Sequence, residues 1–100
     1  FIALVANTAA GLMLPGLARA MGRHVTTKVL PVPDGGRAIP DVRLSDHSPF
    51  WDQGYNALMV TDTSFLRNPH YHEMTDTVES LDLSFFCNVV EGLDRALGQL

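Results

Sequence analysis

The segment Asn68-Pro69-His70-Tyr71-His72-Glu73-Met74-Thr75-Asp76-Thr77 places a tyrosine between two histidines and an aspartate four residues after the second. Neutral imidazole is a common metal ligand, and a nearby carboxylate fixes its tautomer by accepting the proton of the other ring nitrogen. His72 with Asp76 reads as a ligand with its supporting carboxylate; the alternative is a loop histidine beside a turn capped by Asp76-Thr77. On an extended segment His70 and His72 face the same way, and with His47 they would offer three imidazoles to zinc. Pro69 argues for a loop instead, which leaves His70 solvated. The phenol of Tyr71 suits donation to a developing oxyanion, or else packing on its own loop.

A second polar cluster, Ser45-Asp46-His47-Ser48-Pro49-Phe50, lies upstream. Asp46-His47 ahead of a helix would orient a substrate amine or a metal-bound water; the plainer reading is that Asp46 and Ser48 cap that helix. Ser48 lacks the Gly-x-Ser-x-Gly elbow, so nucleophilic catalysis is excluded. Arg67 is expected to pair with Asp62 rather than with a substrate carboxylate, and Gly35-Gly36 follows no phosphate-binding motif and is a turn.

These clusters must be held by a small framework. The hundred residues are 46% apolar, with both charge signs and a single cysteine, a globular composition for one small domain or a piece of a larger one. The net charge of -4 with scattered basic residues argues against nucleic acid as a partner, and no apolar run reaches the length of a membrane span. Cys87 cannot form an intrachain disulfide and is expected on the apolar side of the last helix, as an inert core thiol. The opening Phe1 to Ala6 reads as a strand buried on both faces, so the chain is expected to be the C-terminal fragment of a larger domain.

A helix is expected to follow Asn7-Thr8, its regular part starting near Pro15 and ending at Met21 before Gly22. Val25 to Leu30 alternates as a half-exposed strand, and Pro31 to Pro40 reads as a loop. A short helix is expected from Pro49, with Ser48 as N-cap and Gly54 as terminator, then a strand over Asn56 to Thr61. Asp62 to Glu79 has no periodicity, and a long loop in a compact domain is more often functional than accidental. Phe86, Val89, Val90, Leu93, Leu97 and Leu100 mark the face of a last helix capped by Asp82 or Ser84. This order of elements is that of an α/β fold.

Ser45-Asp46-His47-x-x-Phe50, then Gly54 and a strand, then Tyr71-His72-x-x-x-Asp76-Thr77 and a terminal helix resembles the C-terminal part of the di-zinc exopeptidase family. That family includes bacterial zinc aminopeptidases, glutaminyl cyclases and glutamate-carboxypeptidase-like proteins. The resemblance implies a three-layer α/β/α domain with a mostly parallel or mixed sheet. It implies two zinc ions and a peptide substrate hydrolysed from its N-terminus by metal-activated water. By it, His72 matches the last zinc ligand and Tyr71 a residue that stabilises the tetrahedral intermediate in some members. Asp76 supports the ligand from behind, Asp46 is an acidic residue near the active site, and His47 beside it is a second supporting residue. The other ligands and the general base belong to the missing N-terminal part, since no His-x-Asp or Glu-Glu pair occurs here. The fragment alone is therefore expected to be inactive and prone to self-association. The resemblance also admits a cyclase-like acyltransferase, or a binding or receptor module that has lost the metal.

Overall fold

The computed structural model describes residues 1–99. Its centre is a strand of six residues, β1 (Ile2–Asn7), five of them buried. The β-type apolar run seen in the sequence has this origin: β1 lies in the middle of a three-stranded sheet and is covered on both faces. β2 (Thr27–Val32) pairs with it in parallel, from Ile2 opposite Thr27 to Asn7 opposite Val32. β3 (Leu58–Thr61) pairs on the other side, antiparallel, from Ala3 opposite Thr61 to Ala6 opposite Leu58. The fold is thus α/β with a small mixed sheet, in the order β2-β1-β3.

Alternation along β1 sorts the side chains into two cores. Ile2, Leu4 and Ala6 meet α1 (Leu14–Met21) and α3 (Leu83–Leu97) through Leu14, Leu17, Ala20, Met21 and Ala96. Val5 on the opposite face meets Val32 and Trp51, the latter from the short helix α2 (His47–Asp52). Burial of Leu4, Leu14 and Met21, each at most 2% exposed, contributes about 1.5–3 kcal/mol apiece. The two helices on the first face approach closely at Gly92, where a Cβ would stand 3.3 Å from the Met21 carbonyl oxygen.

Several boundaries differ from those expected. β2 starts two residues later and runs through Pro31, because Val25 turns into the first core and its carbonyl accepts from the Thr27 hydroxyl at 2.9 Å. Proline is tolerated there because β2 is an edge strand. β3 is two residues shorter at its start, since Asn56 and Ala57 bond instead to the side chain of Asn7. α2 starts at His47, so Pro49 stands in its first turn, where the missing N–H costs nothing. Ser48 is inside the helix and its hydroxyl donates to the Ser45 carbonyl at 3.1 Å, so it is not the N-cap. α3 begins at Leu83 and is capped by Asp82, whose carboxylate accepts from the Phe85 N–H at 2.9 Å.

The largest correction concerns the facing of α3. Phe85, Val89, Leu93 and Ala96 meet the core, while Phe86, Val90 and Leu97 are each more than half exposed. The expected stripe mixed two neighbouring rows of the helix surface; Leu100, its last member, lies outside the described residues. Cys87 falls on the outer side and is exposed, so it is not a core thiol. Among the described residues no helix is long and apolar enough to cross a membrane.

Candidate functional site

Residues 62–82 form one continuous excursion between β3 and α3, with only two single-turn 3-10 segments, at Ser64–Leu66 and Val78–Ser80. Its first half is fixed by local polar bonds. The Asp62 carboxylate accepts from the Ser64 N–H at 2.7 Å, and the Thr61 hydroxyl accepts from the Thr63 N–H at 3.0 Å. Four residues other than glycine adopt positive φ in the described chain, and three of them are here: Thr63 at 74°, Ser64 at 52° and His72 at 56°. Each left-handed residue costs about 1–3 kcal/mol, most for a β-branched side chain, and persists only where its surroundings over-determine it.

His72 and Tyr71 are brought together. Their rings stack at 4.0 Å between centroids with 14° between planes, and Tyr71 also meets Phe65 at 5.8 Å. The His72 side chain is exposed, and its ring enters no hydrogen bond among the described residues. An imidazole oriented by stacking, with its ring nitrogens uncommitted, is suited to accept an external partner. His70 is differently engaged: its Nδ1 lies 2.9 Å from the Thr75 hydroxyl. The two histidines therefore do not form a His-x-His pair on an extended strand, because the positive φ of His72 turns the chain between them. Asp76 is exposed and makes no hydrogen bond to His72; its own N–H donates to the Glu73 carbonyl at 3.1 Å.

The second cluster reaches the same place from the other side. A cleft of about 740 Å³ lies over the face of the sheet that carries Ala3, Val5 and Met59, and both Ser45 and Tyr71 line it. Asp46 follows Ser45 at the N-terminal end of α2, exposed, and its carboxylate caps nothing. The cleft thus takes one lining residue from each polar segment, Ser45 and Tyr71, while Asp46, His72 and Asp76 stand outside its lining.

His47 is turned away from this cleft into the second core. It is 6% exposed, its Nε2 donates to the Val42 carbonyl, and its ring meets Trp51 edge-on at 4.5 Å. Its Nδ1 is buried without a partner. His47 and Trp51, whose indole N–H donates to the Ala57 carbonyl at 3.0 Å, hold the Ser45–Asp52 corner on the sheet. Arg43 clamps the same corner from outside through Asp52, 2.7 Å away, and its hydrogen bond holds the Asp52 carboxyl below the usual carboxylate range.

Arg67 is tied to Asp62 as expected, but through the backbone carbonyl rather than the carboxylate. Its full set of partners escaped the sequence reading, because they are main-chain oxygens and carry no residue signature.

Among the described residues no three His, Cys, Asp or Glu side chains converge to hold a metal ion. The donor set here fits one imidazole ligand, His72, and no complete metal centre.

No family model matches the chain, and no solved structure matches it. It is similar to the uncharacterized protein YfbL of Escherichia coli (strain K12), with 40% identity over 55 residues. The similarity covers 55% of this chain and 17% of that protein, so the chain spans less than a fifth of the length of its curated relative.

Proposed function

We propose that this chain is the C-terminal segment of a zinc-dependent aminopeptidase-like hydrolase. The observation that carries the reading is the single cleft shared by Ser45, which precedes Asp46, and Tyr71, which stacks on His72. Those are the two segments that resemble the di-zinc exopeptidases, within what would be a three-layer α/β/α domain once the N-terminal part is added.

His72 would supply one zinc ligand, and the remaining ligands and the general base would have to come from residues outside this sequence. Zinc in such a site lowers the pKa of water and polarises a carbonyl. The chain's own residues do the rest. The stacked Tyr71 fixes the plane of His72, and its hydroxyl donates to the oxygen of the peptide carbonyl as that oxygen gains charge. Asp46, exposed and free of any capping bond at the edge of the cleft next to Ser45, would be available to hold the N-terminal amine of the peptide by charge. Asp76 is near enough in sequence to reach His72 if the 72–76 turn tightens on metal binding.

The test is hydrolysis of aminoacyl anilides and short peptides by the intact protein. Release of the N-terminal residue that is abolished by a chelator and restored by zinc supports the reading. Cyclisation of N-terminal glutamine instead of hydrolysis would place the protein with the acyltransferases. Neither reaction, with no bound zinc, would leave a binding module.

A further inference from the structure

We infer that Arg67 is the positioning residue for the segment that presents Tyr71 and His72. The inference rests on the functional reading above for its consequence, and on geometry for its substance. Arg67 ties this excursion to Phe1, the residue that leads into β1. Its Nη2 donates to the Phe1 carbonyl at 2.7 Å and to the Asp62 carbonyl at 2.6 Å. Its Nε donates to the Asp62 carbonyl at 3.0 Å and to the Thr63 hydroxyl at 2.7 Å. The guanidinium carbon lies 3.7 Å from the centroid of the Phe1 ring.

Two features make this more than a surface contact. The planar fork satisfies three acceptors at once and stacks on an aromatic face, which an ammonium cannot imitate. Its acceptors also bracket the strain: Thr63 is a β-branched residue held at a φ of 74°, next to Ser64 at 52°. The Thr61 and Asp62 side chains set the turn out of β3 locally, and Arg67 ties that turn to the start of β1. Tyr71 and His72 follow within five residues, joined by the Asn68 carboxamide, whose oxygen accepts from the His70 N–H at 3.0 Å. Arg67 touches neither the cleft's reacting groups nor a metal; it acts through the backbone.

The experiment compares the intact protein with Arg67→Met and Arg67→Lys. Deuterium exchange of the 62–72 amides should quicken roughly tenfold in Arg67→Met, the effect of losing about one net charge-assisted hydrogen bond. β1, α1 and α3 should exchange as before. Zinc affinity, measured by competition with a chromophoric chelator, should fall about tenfold, the lower end of the cost of freeing a ligand. Arg67→Lys should not rescue either readout. Quickened exchange confined to 62–72 in a protein that binds no zinc upholds the positioning role and removes the hydrolase reading. Unchanged exchange in 62–72, or an equal rise throughout the fold, overturns the inference. Thr63→Val keeps the shape of Thr63 and deletes one acceptor, and decides the matter in the same way should Arg67→Met not fold.

Discussion

Replacing Trp51 by phenylalanine tests how the Asp46 corner is held. The Trp51 side chain is 7% exposed and packs against Val5, Val32 and the edge of His47. Phenylalanine keeps an aromatic ring but removes the indole N–H that donates to the Ala57 carbonyl at 3.0 Å. A part-buried carbonyl left without its donor costs about 1–2 kcal/mol. The smaller ring also leaves a void and loses contacts worth about 1–2 kcal/mol. The sum is about 2–4 kcal/mol, and Trp51→Ala should exceed it, at about 3–5 kcal/mol. Urea titration of the intact protein followed by far-UV circular dichroism reads the difference directly. A Trp51→Phe protein within about 0.5 kcal/mol of wild type, the range of an inconsequential surface change, would refute the claim that this residue anchors the corner.

Four further outcomes follow from the same geometry. Tyr71→Phe should lower turnover by up to roughly 10²–10³-fold with little change in KM, and normal turnover would remove the phenol from the mechanism. Asp76→Ala should weaken zinc affinity or activity about 10–100-fold if the turn tightens on binding, and no change would make Asp76 a turn residue only. The Asp52 carboxyl is held low chiefly by its hydrogen bond from Arg43, against a smaller opposing effect of desolvation. Its contribution to stability is therefore present above the ordinary carboxylate pKa and lost as pH falls through the lowered folded value. The stability gap between wild type and Asp52→Asn should accordingly narrow in acid, and a gap independent of pH would contradict the assignment. The chain 1–100 by itself should self-associate in sedimentation, because Leu83, Phe86, Val90 and Leu97 leave an apolar row of α3 in water; a cooperative monomer would show that row to be harmless.

The elements were legible where burial is one-sided and periodic. β1 is apolar at every position because both its faces are covered, and α1 ends at Met21 as its spacing implied. The start of β2 was misplaced because Val25 alternates like a strand residue yet serves the first core from the turn before it. α3 was found, but its facing was not. Phe85 and Phe86 are adjacent and equally apolar, and only the position of α1 decides which of them turns inward. Cys87 was misplaced for the same reason. At the site, the residue types singled out the two polar segments, of which Ser45 and Tyr71 line one cleft. The strain at Thr63, Ser64 and His72 was not, because backbone angles imposed by tertiary bonds leave no trace in composition. The orientation of His47 was hidden too, since a histidine that donates to a main-chain carbonyl looks in sequence like one that serves a metal.

The central claim is that His72 is this chain's metal ligand while His70 is not. Elemental analysis of the purified intact protein and of its His72→Ala and His70→Ala variants addresses it most directly. The wild-type protein should carry about two zinc ions per chain, as for a two-metal hydrolytic site. His70→Ala should keep both, and His72→Ala should lose most of the zinc at one position. Wild type free of zinc, or equal losses in the two variants, would contradict it.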